Sequence, residues 1–166
     1  MQISELTYVA DGLMMRSELY IPEGEGQRPG VLVFPEAFGL GEHARSRAKE
    51  LAELGYIALA GDLYGDSTLY QDAGAVSALL RPLATTPERI RARAQGALDA
   101  LFNLPKVGPA RIAAIGFCFG GSMALELARS GGTAGRDDRI SQWPANGSTG
   151  RCEEHSRPDP GCDRSG

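Results

Sequence analysis

The run Gly116-Phe117-Cys118-Phe119-Gly120-Gly121 constrains this chain more than any other stretch. The apolar segment Arg111-Ile112-Ala113-Ala114-Ile115 precedes it, and the helix-like segment Ser122-Met123-Ala124-Leu125-Glu126-Leu127-Ala128 follows. A strand, a glycine-flanked nucleophilic residue and a helix form the context that separates a G-x-S-x-G type turn from a chance match. Gly116 and Gly120 stand two residues either side of Cys118, where a side chain would collide as the backbone reverses. Such a turn lifts the sulfur above the sheet edge and aims the first amides of the helix at it, which favours thiolate and a developing oxyanion. The plainer alternative is that Cys118 is a small buried hydrophobe in a β-α turn. Six consecutive residues with the right elements on both sides favour the nucleophile.

The remaining order of the chain predicts the scaffold beneath that turn. Ile3 to Val9 and Leu13 to Ile21 read as strands, and Asp11-Gly12 between them is a hairpin signal. After the Gly, Glu and Pro loop from Pro22 to Pro29, Gly30-Val31-Leu32-Val33-Phe34 is a continuous apolar run that suits a strand buried on both faces. Ala44, Ala48, Leu51 and Ala52 recur at helical spacing with Gly55 as the C-cap, and Tyr56 to Ala60 is the next strand. A helix joining two such strands predicts a right-handed βαβ crossover.

Gly61-Asp62-Leu63-Tyr64-Gly65-Asp66 then falls at a strand's carboxyl end, where open α/β sheets place ligands. A short helix is expected over Ala73 to Leu80. A longer one starts at Thr86-Pro87-Glu88, with Ile90, Ala94, Ala97, Leu98, Leu101 and Phe102 forming its apolar stripe.

At 166 residues, one domain is expected. A net charge of −4 carries no basic excess to suggest nucleic acid, and no run approaches the ~20 apolar residues of a membrane span. The opening Met1-Gln2-Ile3-Ser4-Glu5 lacks a basic n-region. With only three cysteines, and Cys118 far in sequence from Cys152 and Cys162, a reducing cytoplasmic setting is expected. There is no G-x-x-x-x-G-K-[ST] to hold a nucleotide, and the chain calls for no cofactor and no metal.

The composition changes after Arg129. From Gly131 to Gly166 the only large apolar residues are Ile140 and Trp143, too few to order a segment by burial, so residues 131–166 are expected to be disordered. A reading frame shifted near Gly131 would explain the abrupt change. Asp137, Asp138, Asp159 and His155 lie there in polar surroundings with no apolar anchor, although a base must be held within reach of its nucleophile. Cys152, His155 and Cys162 lack the fourth ligand and paired spacing of a zinc site.

Three segments carry a resemblance over roughly residues 3–130: Phe34-Pro35-Glu36-Ala37-Phe38-Gly39-Leu40, Gly55 through Tyr64, and the Cys118 turn. On these the chain resembles the dienelactone hydrolase family of the α/β-hydrolase superfamily. The resemblance implies an α/β fold in which residues 1–130 form the N-terminal part of the domain, a mostly parallel sheet cut short, with an antiparallel hairpin at the N-terminus and flanking helices. It implies hydrolysis of a small carboxylic ester or lactone through a cysteine thioester, with Cys118 as nucleophile and Glu36 as the carboxylate that helps activate it.

In this fold the loop after the third strand and the residue after the nucleophile supply oxyanion amides, which places them on Ala37 and Phe119. Arg81 is a candidate to bind a substrate carboxylate, as an arginine in the family does, although a solvated helix-end arginine is at least as well supported. For Glu36 a helix-entry carboxylate is the rival role, and for Asp62 a loop or capping role is favoured. His43, in the first turn of an exposed helix, is expected to be solvated.

The family's triad continues into an acid and a histidine on later strands, which this text does not supply. Turnover is therefore expected to be impaired. A sheet ending at the Cys118 strand would leave an apolar edge prone to self-association, and an inactive fragment that binds through that edge is the competing account.

Overall fold

The computed structural model describes residues 1–131; the expectations for Asp137, Asp138, Cys152, His155, Asp159 and Cys162 lie outside the described residues. Five strands and four helices alternate as β1 (Gln2–Ala10), β2 (Leu13–Ile21), β3 (Arg28–Phe34), α1 (Glu42–Glu53), β4 (Ile57–Ala60), α2 (Ala73–Ala84), α3 (Pro87–Phe102), β5 (Val107–Gly116) and α4 (Phe119–Arg129). They build one sheet in the order β1-β2-β4-β3-β5. β1 and β2 form an antiparallel hairpin, β2 meets β4 antiparallel, and β3 runs parallel to both β4 and β5.

The apolar run that reads as a doubly buried strand occupies β3, between β4 and β5. Its side chains divide by the two-residue period of a strand. Leu32 and Phe34 join Ile57 and Leu59 of β4 in a core with α3 and α4, while Val31 and Val33 join Ala58 and Ala60 against α1. The buried residues of α1 are Ala44, Ala48 and Ala52, with Leu51 packed at the margin of the same cluster. Leu32 and Val33 are wholly removed from solvent.

Several boundaries differ from those read in the sequence: β1 runs Gln2–Ala10 rather than Ile3 to Val9, and β3 starts at Arg28 rather than Gly30. Leu54 closes α1, and Gly55 stands one place beyond it with φ of 98°, the left-handed conformation glycine adopts without strain. The strand after it starts at Ile57, not Tyr56. α2 continues past Leu80 to Ala84 with Pro82 inside it; the proline reads as a stop because it disfavours helix in the residue before it, yet one more turn forms. β5 begins four residues earlier than its apolar run, since Val107 pairs with Arg28 before a register break brings Ile112 opposite Gly30. Thr86 precedes α3 as expected, with Pro87 at its first position, but its side chain makes no capping bond.

The hairpin turn is tied to the rest of the domain by charge. Asp11 and Gly12 both have positive φ, 50° and 72°, as a tight two-residue hairpin requires. The Asp11 carboxylate accepts from Arg89 Nε at 3.0 Å and Arg93 Nε at 2.9 Å. Buried Arg93 also donates to the Leu63 carbonyl at 2.6 Å, so one guanidinium joins β1–β2, α3 and the loop after β4.

Burial acts to raise the Asp11 pKa, but the two arginines outweigh it and hold the carboxyl below its ordinary value of 3.8. A carboxyl lowered on folding stabilises the fold above its unfolded value, and that contribution is lost as pH falls through the folded value. Asp11→Asn should therefore cost about 2 kcal/mol at pH 7, as for hydrogen bonds between charged groups. The urea midpoints of the two proteins should draw together as pH falls below the carboxyl's ordinary 3.8; a gap that stays constant with pH would show that the charge is not what matters.

Candidate active site

The carboxyl ends of the three parallel strands meet at one rim of the sheet. Phe34 and Gly116, the last residues of β3 and β5, are register partners. Just beyond them the Phe117 amide donates to the Phe34 carbonyl at 3.2 Å, and on the other side the Gly61 amide donates to the Val33 carbonyl at 2.9 Å. Three loops therefore leave the sheet together: Pro35-Glu36-Ala37, Gly61-Asp62-Leu63 and Phe117-Cys118.

Cys118 occupies the turn between β5 and α4 with φ 51° and ψ −114°. A positive φ at a non-glycine residue is strained by about 1–3 kcal/mol and persists only where the surroundings enforce it. Here glycine contacts do so. A Cβ on Gly116 would strike the Gly120 carbonyl, and a Cβ on Gly120 would strike the carbonyl oxygens of Phe34 and Pro35. The start of α4 is thereby pressed against the end of β3. Cys118 is a free, exposed thiol at the N-terminus of that helix, and the Phe119 amide is in the first turn, where amides lack an intrahelical acceptor.

The loop after β3 brings Glu36 and Ala37 to the same rim. Tyr64, from the loop after β4, donates its hydroxyl to the Ala37 carbonyl at 2.5 Å and sets its ring edge-on to Tyr70. Burial pushes the Tyr64 phenol up to about 12, so it remains a donor across the neutral range. The Glu36 carboxylate meets Nδ1 of His43, whose ring lies 4.5 Å from that of Phe117.

Asp62 does not line the site. Its buried carboxylate accepts four backbone amides: Arg16 at 3.0 Å, Tyr64 at 3.1 Å, Gly65 at 3.1 Å and Ser67 at 2.9 Å. It shapes the loop that carries Tyr64, in the loop role favoured for it. Arg81 sits exposed in the last turn of α2, a helix that packs on α3, and no hydrogen bond or ion pair of its side chain joins it to the Cys118 turn. The structure thus brings Cys118, Glu36, Ala37 and Phe119 to one rim of the sheet.

Two residues at the rim have partners that the sequence does not give. His43 is exposed, as expected of a histidine in the first turn of an exposed helix, and it also meets Glu36, seven residues away across a loop. Tyr64 gives no signal beyond its place in a strand-end loop.

A sequence profile of the dienelactone hydrolase family matches residues 15–140. The chain belongs to that family. It is 30% identical over 121 residues to a Synechocystis protein named, provisionally, a carboxymethylenebutenolidase, covering 70% of this chain and 49% of that protein.

Among solved structures, a dienelactone hydrolase-like promiscuous phosphotriesterase from metagenomic libraries is 45% identical with a TM-score of 0.75, covering 78% of this chain and 54% of the other. The structure m3DLH is 48% identical with a TM-score of 0.76, covering 81% and 56%. The fold is that of the α/β-hydrolases, and the family is one of hydrolases. This chain spans about half the length of the relatives it matches.

Among the described residues no helix is long and apolar enough to cross a membrane, and no cluster of three or more His, Cys, Asp or Glu could hold a metal ion.

Proposed function

We propose that this dienelactone hydrolase family member cleaves small carboxylic esters or lactones through a thioester on Cys118. The observation that carries this reading is the strained left-handed backbone of an exposed cysteine at the N-terminus of α4. Glycines without room for a Cβ hold it there.

In the first step the Cys118 sulfur, as thiolate, attacks the carbonyl carbon; a C–S bond forms and the carbonyl electron pair moves to oxygen. The Ala37 and Phe119 amides hold that oxyanion. When it collapses, the C–O bond to the leaving alcohol breaks, and the leaving oxygen takes up the proton the thiol released. Glu36 tunes the thiol. Water then attacks the thioester carbonyl, giving the carboxylic acid and returning the thiol.

The second half of that cycle needs a base held against the acyl group, and triad members act as a unit. Among the described residues no acid and histidine pair is presented from a strand end beyond β5. We therefore place residues 1–130 as the N-terminal part of the hydrolase domain and expect acylation to outrun deacylation in this chain. The kinship with a phosphotriesterase adds phosphotriesters to the substrates to assay.

A burst of p-nitrophenol from p-nitrophenyl acetate, with an acetyl group located on Cys118 by peptide mass spectrometry, is the expected result, and Cys118→Ala should remove both. No burst and no adduct at Cys118, or an equal burst from Cys118→Ala, would end the enzymatic reading of this chain.

One observation favours a second, non-enzymatic reading. β5 is the last strand of the described sheet, and its Ile115 is 38% exposed. An exposed apolar strand edge favours pairing with another chain, so binding through β5 without acylation is the competing account. Self-association that added strand peptides compete away would support it.

A further inference from the structure

His43, the second residue of α1, touches groups from three different places in the chain. Its Nδ1 meets the Glu36 carboxylate in the loop after β3. Its Nε2 lies 3.4 Å from Nε of Arg47, one turn along its own helix. Its ring packs on Phe117, the residue before Cys118, with the planes tilted by 58°.

Arginine only donates, so Nε2 accepts and the ring hydrogen resides on Nδ1, directed at Glu36. Arg47 is held in turn by Glu50, its Nη1 donating at 2.6 Å. A line of donors and acceptors thus runs along α1 from Glu50 through Arg47 and His43, and ends on the carboxylate at the rim of the candidate site.

We propose that His43 is a positioning residue for the nucleophile: it anchors the Glu36 carboxylate and braces Phe117, so that Glu36 does not face the Cys118 thiol as an unscreened negative charge. The inference rests on the reading of Cys118 as the nucleophile. The charged groups around His43 are Glu36 from the β3–α1 loop, Arg47 and Glu50 on its own helix and the adjacent Glu42. From the β5–α4 side it meets Phe117, and α4 brings no acidic residue in its first turn.

Released from His43, the Glu36 carboxylate would disfavour thiolate, because a nearby like charge opposes ionisation. The probe is iodoacetamide alkylation of the full chain, read at the Cys118 peptide against pH. His43→Leu should raise the midpoint of that profile by about one unit and slow alkylation at pH 7 about ten-fold. His43→Asn keeps an N–H near the place of Nδ1 and should restore most of the wild-type profile. In a Glu36→Gln background, His43→Leu should add nothing, because the residue acts through that carboxylate.

A His43→Leu profile superposed on wild type would overturn the inference, as would a shift that persists undiminished in Glu36→Gln. Those results leave the nucleophile reading standing. If wild-type Cys118 is not alkylated while the chain retains its folded circular dichroism spectrum, the nucleophile reading fails and this inference with it.

Discussion

Gly120→Ala should prevent this chain from folding, or leave it destabilised by about 4 kcal/mol or more, the range reached only when a substitution meets an immovable neighbour. The atoms that the new methyl would strike are backbone carbonyls of Phe34 and Pro35, at the end of the central strand. They cannot rotate aside as a side chain would. β3 is hydrogen-bonded on both sides, to β4 and β5, and its Leu32 and Phe34 anchor the core under α3 and α4. Relief would therefore require α4 to lift from the sheet, which would also release Cys118 from its strained conformation.

The control lies next door. A Cβ on Gly121 would come no closer than 3.5 Å to the Gly116 carbonyl, an ordinary contact, so Gly121→Ala should melt within a few degrees of wild type. Thermal melting of the two variants side by side is the measurement. Equal melting temperatures would mean that the close approach of β3 and α4 is not what shapes the turn.

Asp62→Asn should cost about 3 kcal/mol or more, an unusually large effect for replacing one oxygen by nitrogen. The reason is an arithmetic of donors. Oδ1 accepts from Tyr64 and Gly65, and Oδ2 from Arg16 and Ser67. A carboxylate offers acceptors on both oxygens, whereas the asparagine amide offers one oxygen and turns two N–H donors toward amides that also donate. Two amides, buried or part-buried, then lose their partner, each at about 1–3 kcal/mol.

The loop these bonds hold is itself unfavourable without them, since Asp66 and Ser67 both have positive φ, 53° and 54°. Urea denaturation of Asp62→Asn against wild type measures the cost. A difference below about 1 kcal/mol would show that water replaces the lost acceptor and that the loop needs no ion. Because this loop carries Tyr64 to the Ala37 carbonyl, the same variant should also slow the acetyl burst by more than its loss of folded protein explains.

What was legible in the sequence was local. The elbow needs glycine at position 116 for a reason confined to six residues, since a Cβ there would strike the Gly120 carbonyl, whereas Gly120 is required by the carbonyls of Phe34 and Pro35 at the end of β3. The buried character of β3 is written in Val31, Leu32, Val33 and Phe34, since only a strand covered on both faces dispenses with polar alternation. Asp11-Gly12 specifies its hairpin because both positions require positive φ. By contrast the extra turn of α2 through Pro82 and the early start of β5 at Val107 depend on packing and pairing partners elsewhere in the chain, which no window of residues contains.

The candidate site divides along the same line. Cys118 and Glu36 were readable as candidates, the first from the turn it stands in and the second through a family likeness. The contacts of His43 and Tyr64 were not, because what places them is the parallel pairing of β3 with its neighbours, which sets three loops side by side at one rim. Sequence alone marked the strained turn, since the clash that demands glycine at 116 acts between near neighbours. Tertiary structure decided what stands against that turn, since hydrogen bonds and ring contacts join residues whose separation along the chain carries no period.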